Sequence, residues 1–180
     1  MKITSGMNDQ QKKRLEELRW ENERNQKQSA LMLKLQSIFS IDVFSFVSYV
    51  ESDTTQLSID DWPSTKWEEE LFIQTKVSDS NPITEIAKRF VNIIEQDYIF
   101  VFFMNYNFGL VQLVKELAIT HWQELVELDG DEIFLYAPGR SYFICIEKTE
   151  DFIVKDCQKA REWIYEVTFS NRSIKGILTD

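Results

Sequence analysis

The sequence predicts an α+β fold: a single domain with a largely antiparallel sheet, packed helices and an N-terminal helical leader. Three observations indicate this class. One stretch carries a capped helical stripe of apolar residues, several short stretches alternate at the period of a strand, and turn dipeptides separate them. The chain has 180 residues, of which 43% are hydrophobic, so it has enough apolar material for one core.

Charge divides the chain into two parts. Residues 1–38 hold eight Lys and Arg against five Asp and Glu, a net charge of +3. The whole chain carries −10, which leaves −13 for residues 39–180. We therefore describe residues 1–38 as a polar, basic helical leader and residues 39–180 as an acidic α+β domain.

The leader is predicted to be helical from Asn8 or Asp9, because its residues favour helix and no Gly or Pro interrupts them. Trp20 is the only large apolar side chain between Leu18 and Ala30, so this half is too polar to pack firmly on a core. Helical spacing of apolar residues then resumes, which predicts that the distal half docks through Leu31, Leu35, Ile38 and Phe39.

The next part of the chain is less regular. Residues 39–52 fit both a strand and a helical face, and their β-branched and aromatic content favours a strand. Residues 52–66 resemble a loop, and residues 67–77 fit either a short helix or a strand. Residues 80–96 predict a helix, because Pro82 suits its first turn and one apolar stripe follows.

The segment DYIFVFFMNY is apolar on both faces and predicts a central strand. Residues 107–122 then predict a second helix, whose inward residues would be Leu110, Leu113, Val114 and Leu117.

The C-terminal third predicts a meander of three strands. QELVEL (123–128) alternates and precedes Asp129-Gly130, a dipeptide favoured in hairpin turns. EIFLY (132–136) and SYFICIEK (141–148) predict two further strands. A short helix is expected over residues 149–160, and a strand over residues 161–171 with Trp163, Tyr165, Val167 and Phe169 on one face.

Composition excludes several classes of function. The net charge of −10 argues against a nucleic-acid partner, since phosphate binding needs a basic surface. No apolar run approaches the roughly 18 residues of a membrane-spanning helix, and the N-terminus lacks a signal peptide, so we expect a cytoplasmic protein without a membrane partner. Cys145 and Cys157 are too few for a disulfide framework, and Cys145 is expected to be buried and inert.

His121, the only histidine, is the obvious catalytic candidate, with Glu124 or Asp131 as its carboxylate partner. The interpretation that we favour places His121 at the end of a helix, where an imidazole interacts with the terminal carbonyls. The chain has no Gly-x-Ser-x-Gly elbow and no zinc-ligand set, and the acids near Gly130 do not match an EF-hand. We therefore predict no enzyme, no metal and no cofactor.

The segment IDDWPSTKWEEELF (59–72) has the composition of a protein-binding surface. Two tryptophans stand among acids, which is typical of a hot spot that meets a basic partner, although both indoles also fit a core position. With the acidic residues near Gly130, the candidate partner-binding residues are Asp60, Asp61, Trp62, Trp67, Glu68, Glu69, Glu70, Asp129, Asp131 and Glu132.

The segment ELDGDEIFLYAPGRSYFICIEK resembles the Gly-Asp-led strand, tight turn and following strand of SUKH-type immunity domains from bacterial polymorphic-toxin systems. The resemblance covers at most about a quarter of the chain and transfers no functional residue. It implies a cytoplasmic immunity protein that neutralises a basic toxin or nuclease by binding. The alternatives are a small hydrolase that uses His121, and an assembly protein that oligomerises through its N-terminal helix. The oligomeric state stays open.

Overall fold

A computed structural model describes residues 8–47, 72–103, 110–138, 143–155 and 158–169. Its elements, in chain order, are helix α1 (Asp9–Gln36), a 3-10 turn (Ile41–Val43), β1 (Phe44–Phe46), β2 (Phe72–Lys76), α2 (Asn81–Asn92), β3 (Tyr98–Phe102), β4 (Leu110–Val114), α3 (Lys115–Thr120), α4 (Trp122–Leu128), β5 (Glu132–Tyr136), β6 (Phe143–Lys155) and β7 (Gln158–Phe169).

The seven strands form one antiparallel sheet in the order β1-β4-β3-β5-β6-β7-β2. The predicted α+β class is therefore confirmed, and β3 is central as its two-sided apolar sequence predicted. β6 and β7 pair over their whole length. Of β6, only residues 143–147 also pair with β5, and of β7, only residues 164–168 also pair with β2. The far end of the β6–β7 hairpin thus extends beyond the neighbouring strands.

The main core lies between the helices and one face of the sheet, which we call the inner face. Alternate residues of the central strands point into it and are buried, as period-2 strands require; they are Ile99, Val101, Ile133, Leu135, Ile144 and Ile146. The helix α2 contributes Ile83 and Phe90. Trp122 of α4 is buried there too: its Nε1–H donates to Thr84 Oγ1 at 3.0 Å, and its ring meets Tyr165 edge-on at 4.8 Å.

α1 begins where the sequence predicted. Asn8 is its N-cap and accepts a hydrogen bond from the backbone N–H of Gln11 at 2.8 Å, while Gln11 Oε1 accepts from the N–H of Asn8 at 3.1 Å. This reciprocal capping box satisfies two donors that the first helical turn leaves open. Leu31 and Leu35 are fully buried and Trp20 is exposed, so the predicted docking of the distal half is confirmed.

Two local predictions are refined. Within residues 39–47, a 3-10 turn precedes a strand confined to Phe44–Phe46. Of the helix or strand offered for residues 67–77, the strand is present over Phe72–Lys76. The helix predicted over residues 80–96 is confirmed and ends at Asn92, where the C-cap Ile93 follows.

The prediction of one helix over residues 107–122 was wrong for residues 110–114. Leu110–Val114 is β4, and it pairs with β1 on one side and β3 on the other. The periodicity of such a short apolar run fits both a strand and a helix. Here the pairing of both edges with neighbouring strands makes it a strand. Leu110 and Leu113 consequently lie on opposite faces of the sheet, each buried in a different cluster.

The strand predicted over residues 123–128 was also wrong, because these residues belong to helix α4. Trp122, Leu125 and Val126 are buried at helical spacing against the inner face. Asp129-Gly130 therefore ends a helix and does not form a hairpin turn, and Gly130 (φ 77°) and Asp131 (φ 87°) are both left-handed. A Gly in this conformation is the usual way to end a helix.

The short helix predicted over residues 149–160 was wrong as well. The described residues there continue β6 to Lys155 and open β7 at Gln158. Antiparallel pairing along the hairpin overrides the weak helical preference of this polar segment. The meander is thus β5-β6-β7, and the strand predicted over residues 161–171 is confirmed as the second half of β7, with Tyr165 and Val167 buried.

Candidate functional site

The face of the sheet turned away from the helices, the outer face, divides into an aromatic and an acidic part. The aromatic part is a second buried cluster that includes Val47, Leu110 and Cys145. Phe100, Tyr136 and Phe143 are buried members of this cluster, and the partly buried rings of Tyr98, Phe102 and Phe134 pack against it.

The acidic part is a row of three glutamates on three neighbouring strands. Glu132 of β5 pairs with Glu147 of β6, and Glu147 pairs with Glu166 of β7. We call these three residues the acidic row. Gln74 of β2 follows Glu166 in register, and its Nε2–H donates to Glu166 Oε1. Directly opposed side chains on one face of an antiparallel sheet stand about 5 Å apart at Cβ, so the three carboxylates are neighbours.

The pKa of Glu147 shows that its charged form is disfavoured in this arrangement. Partial burial raises the pKa of the Glu147 carboxyl above its ordinary value, and the carboxylates of Glu132 and Glu166 raise it further. Like charges that face each other across strands destabilise a sheet. At its other end, Glu132 Oε1 accepts a hydrogen bond from Cys145 Sγ–H at 3.5 Å, at the boundary with the aromatic part.

A cationic group would relieve this repulsion. Lysine and arginine side chains donate to carboxylates, and a guanidinium engages one carboxylate through two N–H groups. Of the rings near this row, Phe100, Tyr136 and Phe143 are buried, so only the partly buried Tyr98, Phe102 and Phe134 leave apolar area for contact. The outer face therefore has the chemistry to bind a basic, partly apolar surface.

The structure places the three predicted partner-binding residues near Gly130 in three different environments. Glu132 belongs to the acidic row. Asp131 lies at the edge of the inner face, where Lys148 Nζ is 3.8 Å from its Oδ1 and 3.5 Å from Glu127 Oε1. Asp129 is only 1% exposed, so it is part of the turn that ends α4 and does not face a partner.

The remaining predicted residues lie outside the residues that the structure describes. They are Asp60, Asp61, Trp62, Trp67, Glu68, Glu69 and Glu70. The hypothesis of a binding surface around these two tryptophans stays a prediction.

Sequence reasoning missed Glu147 and Glu166. Both lie in stretches that were predicted as strands, so the signal available was their alternation with buried residues. Their juxtaposition depends on the register of β6 and β7, and the helix expected between them concealed that pairing. A continuous hairpin over residues 143–169 would have placed both glutamates on one face.

His121 lies between α3 and α4, where it is the C-cap of one and the N-cap of the other. This confirms its predicted place at a helix end. Its Nδ1 is 3.2 Å from Glu124 Oε1, and its ring meets Phe39 edge-on at 5.2 Å. A carboxylate therefore orients this half-buried imidazole, which is one requirement of a general base.

Among the residues that the structure describes, no group of three or more His, Cys, Asp or Glu side chains is arranged to hold a metal ion. The helices found there are also too short or too polar to cross a bilayer.

Fold and site together define a class: a single α+β domain whose antiparallel sheet is covered by helices on its inner face and carries an acidic row on its outer face. Comparisons of the chain with protein-family models, curated proteins and solved structures found no match.

Proposed function

We propose that this protein acts by binding a basic protein partner through the outer face of its sheet, and that it does so without catalysis. The observation that carries the proposal is the acidic row. Partial burial and the carboxylates of the two adjacent strands hold Glu147 in an unfavourable environment, as its raised pKa indicates. Because this carboxylate environment is unfavourable in the protein alone, a cationic partner that binds there would be strongly attracted.

The net charge of −10 supports the same class of partner at longer range. An acidic protein attracts basic surfaces before contact, which raises the rate of encounter, and it repels nucleic acids and anionic membranes. The most concrete version is an immunity protein similar to the SUKH type, which would neutralise a basic toxin or nuclease in the bacterial cytoplasm. This version rests on the sequence resemblance together with the charge.

The test compares two sets of variants with equal changes in charge. One carries Glu132→Gln, Glu147→Gln and Glu166→Gln; its control carries Glu16→Gln, Glu17→Gln and Glu21→Gln on the exposed side chains of α1. Each set removes three negative charges, so the two variants differ only in where the charge is lost. Immobilised wild-type protein and control should capture a basic protein from an extract of the native host, and the acidic-row variant should not.

Equal capture by all three proteins would contradict the role of the acidic row. A further variant then tests the acid-flanked tryptophan segment by reversing Asp60, Asp61, Glu68 and Glu69 to lysine. Loss of capture in that variant alone would place the binding surface in residues 59–72.

A hydrolase is the second candidate, and the contact between His121 and Glu124 favours it. In such an enzyme Glu124 would orient the imidazole, which would take a proton from an attacking group. His121→Asn would then abolish hydrolysis of a panel of ester, phosphoester and amide substrates by the purified protein. Binding to the basic partner should be unaffected by the same substitution, which separates the two proposals.

A further inference from the structure

The three carboxylates of the acidic row differ in the hydrogen bonds that they accept. Glu132 Oε1 accepts one from Cys145 Sγ–H at 3.5 Å, and Glu166 Oε1 accepts one from Gln74 Nε2–H. Glu147 stands between them in register, and its carboxylate accepts no hydrogen bond from any residue that the structure describes. Of the three, Glu147 is therefore the residue whose negative charge is least compensated.

Two lysines near the row are engaged with other acids. Lys76 lies on the outer face of β2, and its Nζ is 2.7 Å from Glu162 Oε1. Lys148 is the next residue of β6 after Glu147, so it points to the inner face, where it contacts the acids at the end of α4. Within the described part of the chain, the charged groups that face Glu147 are thus the two flanking carboxylates, one from β5 and one from β7.

We infer that Glu147 makes the acidic row sensitive to pH: a proton and the basic partner compete for its carboxylate, so that acidification releases the partner. This inference rests on the function proposed above. When carboxylates share a site, one of them takes up a proton more readily, because the proton removes their repulsion. The protonated Glu147 carboxyl can then donate its O–H to an oxygen of Glu132 or Glu166, and hydrogen bonds to a charged acceptor are strong.

A bound cation has the opposite effect on Glu147. An ammonium or guanidinium group of the partner favours the charged carboxylate, so binding expels the proton to solvent. In the protein alone, partial burial raises the pKa of the Glu147 carboxyl, and the two flanking carboxylates raise it further. The proton is therefore taken up at a higher pH than an ordinary glutamate requires. The side chain is also exposed, which leaves it accessible to both competitors.

Linkage fixes the direction of the pH dependence. The partner lowers the pKa of Glu147, so affinity should increase with pH between the pKa of the complex and the pKa of the free protein, and it should level off above both. Within that interval, the Kd should rise roughly tenfold for each pH unit of acidification.

The first test follows the side-chain carboxyl resonance of Glu147 by NMR in the full chain, from neutral pH to below its ordinary pKa of 4.5. In Glu132→Gln and in Glu166→Gln, the pKa of Glu147 should fall, because each variant removes one facing charge. The matched control is Glu150→Gln, which removes a charge from the inner face of β6, where Glu150 Oε2 is 3.1 Å from Arg161 Nη1. The inference is overturned unless the pKa of Glu147 falls further in the two row variants than in the control.

The second test titrates a hexa-arginine peptide into the protein by calorimetry, in two buffers of different ionisation enthalpy. At the pH where Glu147 is half protonated, the wild type should release up to about half a proton for each bound peptide, and Glu147→Gln should release much less. On acidification from neutral pH, binding should weaken in the wild type and change much less in Glu147→Gln.

The outcomes separate this inference from the proposed function. Peptide binding with equal proton release and equal pH dependence in the wild type and in Glu147→Gln would overturn the inference and leave the binding proposal standing. A wild type that does not bind the peptide at neutral pH and low salt would contradict the attraction of the row for cations, and with it both proposals.

Discussion

The two faces of the sheet are built from alternate residues of the same strands, yet their chemistry differs. On the inner face, aliphatic residues such as Ile133, Leu135 and Ile146 are fully buried beneath the helices. On the outer face, the alternate positions of β5 are acidic or aromatic: Glu132 pairs with Glu147, and Phe134 pairs with Cys145. A one-residue step along β5 is enough to pass from one chemistry to the other.

This difference suggests that the inner face stabilises the fold and that the acidic row serves the proposed function. The inner face has complementary apolar packing, which stabilises a domain and tolerates little change. The acidic row is instead a source of repulsion that folding does not need. Substitutions on the inner face should therefore lower stability, and substitutions in the row should leave stability unchanged or increase it.

The largest effect is expected at Trp122, beneath the helices. Trp122→Ala removes a buried indole, its contact with Tyr165 and its hydrogen bond to Thr84, and it should lower the free energy of unfolding by about 3–5 kcal/mol. The control is Trp163→Ala, because Trp163 is 46% exposed on the same face beyond the helices and should cost only about 1 kcal/mol. Urea unfolding of both variants measures the contrast; equal losses would contradict the assignment of the core.

Gly130 connects the two faces, since its turn ends α4 and sets which residues of β5 point outward. Gly130→Val places a β-branched residue at φ 77°, which should cost about 1–3 kcal/mol. Asp131→Gly, at φ 87°, relieves the same kind of strain and should be neutral or slightly stabilising. Thermal melts of the pair test this account, which a harmless Gly130→Val would refute.

Much of the inner face could be predicted from the sequence, and less of the outer face. The apolar stripe of α2 and the apolar residues on both faces of β3 are local patterns in the sequence, and both elements were predicted correctly. The strand at Leu110–Val114 and the helix at Trp122–Leu128 were mistaken because short apolar runs fit both periods, and only their neighbours decide between them.

The acidic row shows a different limit. Glu132 was a candidate, but Glu147 and Glu166 join it only through the register of a hairpin that the sequence suggested was interrupted by a helix. Register depends on pairing between distant residues, and a local pattern does not contain it.

The smallest effect on stability is expected in the acidic row, and its sign is opposite. The raised pKa of Glu147 means that the folded protein binds its proton more tightly than the unfolded chain does. Stability should therefore rise as the pH falls from neutral through the folded pKa toward the ordinary value of 4.5, and Glu147→Gln should remove this contribution. At neutral pH that variant should be as stable as the wild type or more stable, by less than about 1 kcal/mol.

Unfolding curves at neutral and mildly acidic pH measure this effect, and Glu85→Gln is the comparison. Lys88 holds the pKa of the exposed Glu85 carboxyl below its ordinary value. The contribution of Glu85 to stability should therefore fall, not rise, as the pH is lowered. A clear loss of stability in Glu147→Gln at neutral pH would mean that the row stabilises the fold.

The central claim is that the acidic row attracts a basic partner, and the most direct test is the association rate constant with the captured partner at several salt concentrations. For the wild type and the Glu16, Glu17 and Glu21 control, we expect association to slow steeply as salt screens the attraction. For the variant Glu132→Gln, Glu147→Gln, Glu166→Gln, association should be slower at low salt and should depend less on salt, while its thermal stability is at least that of the wild type. Identical salt dependence in all three proteins would contradict the claim.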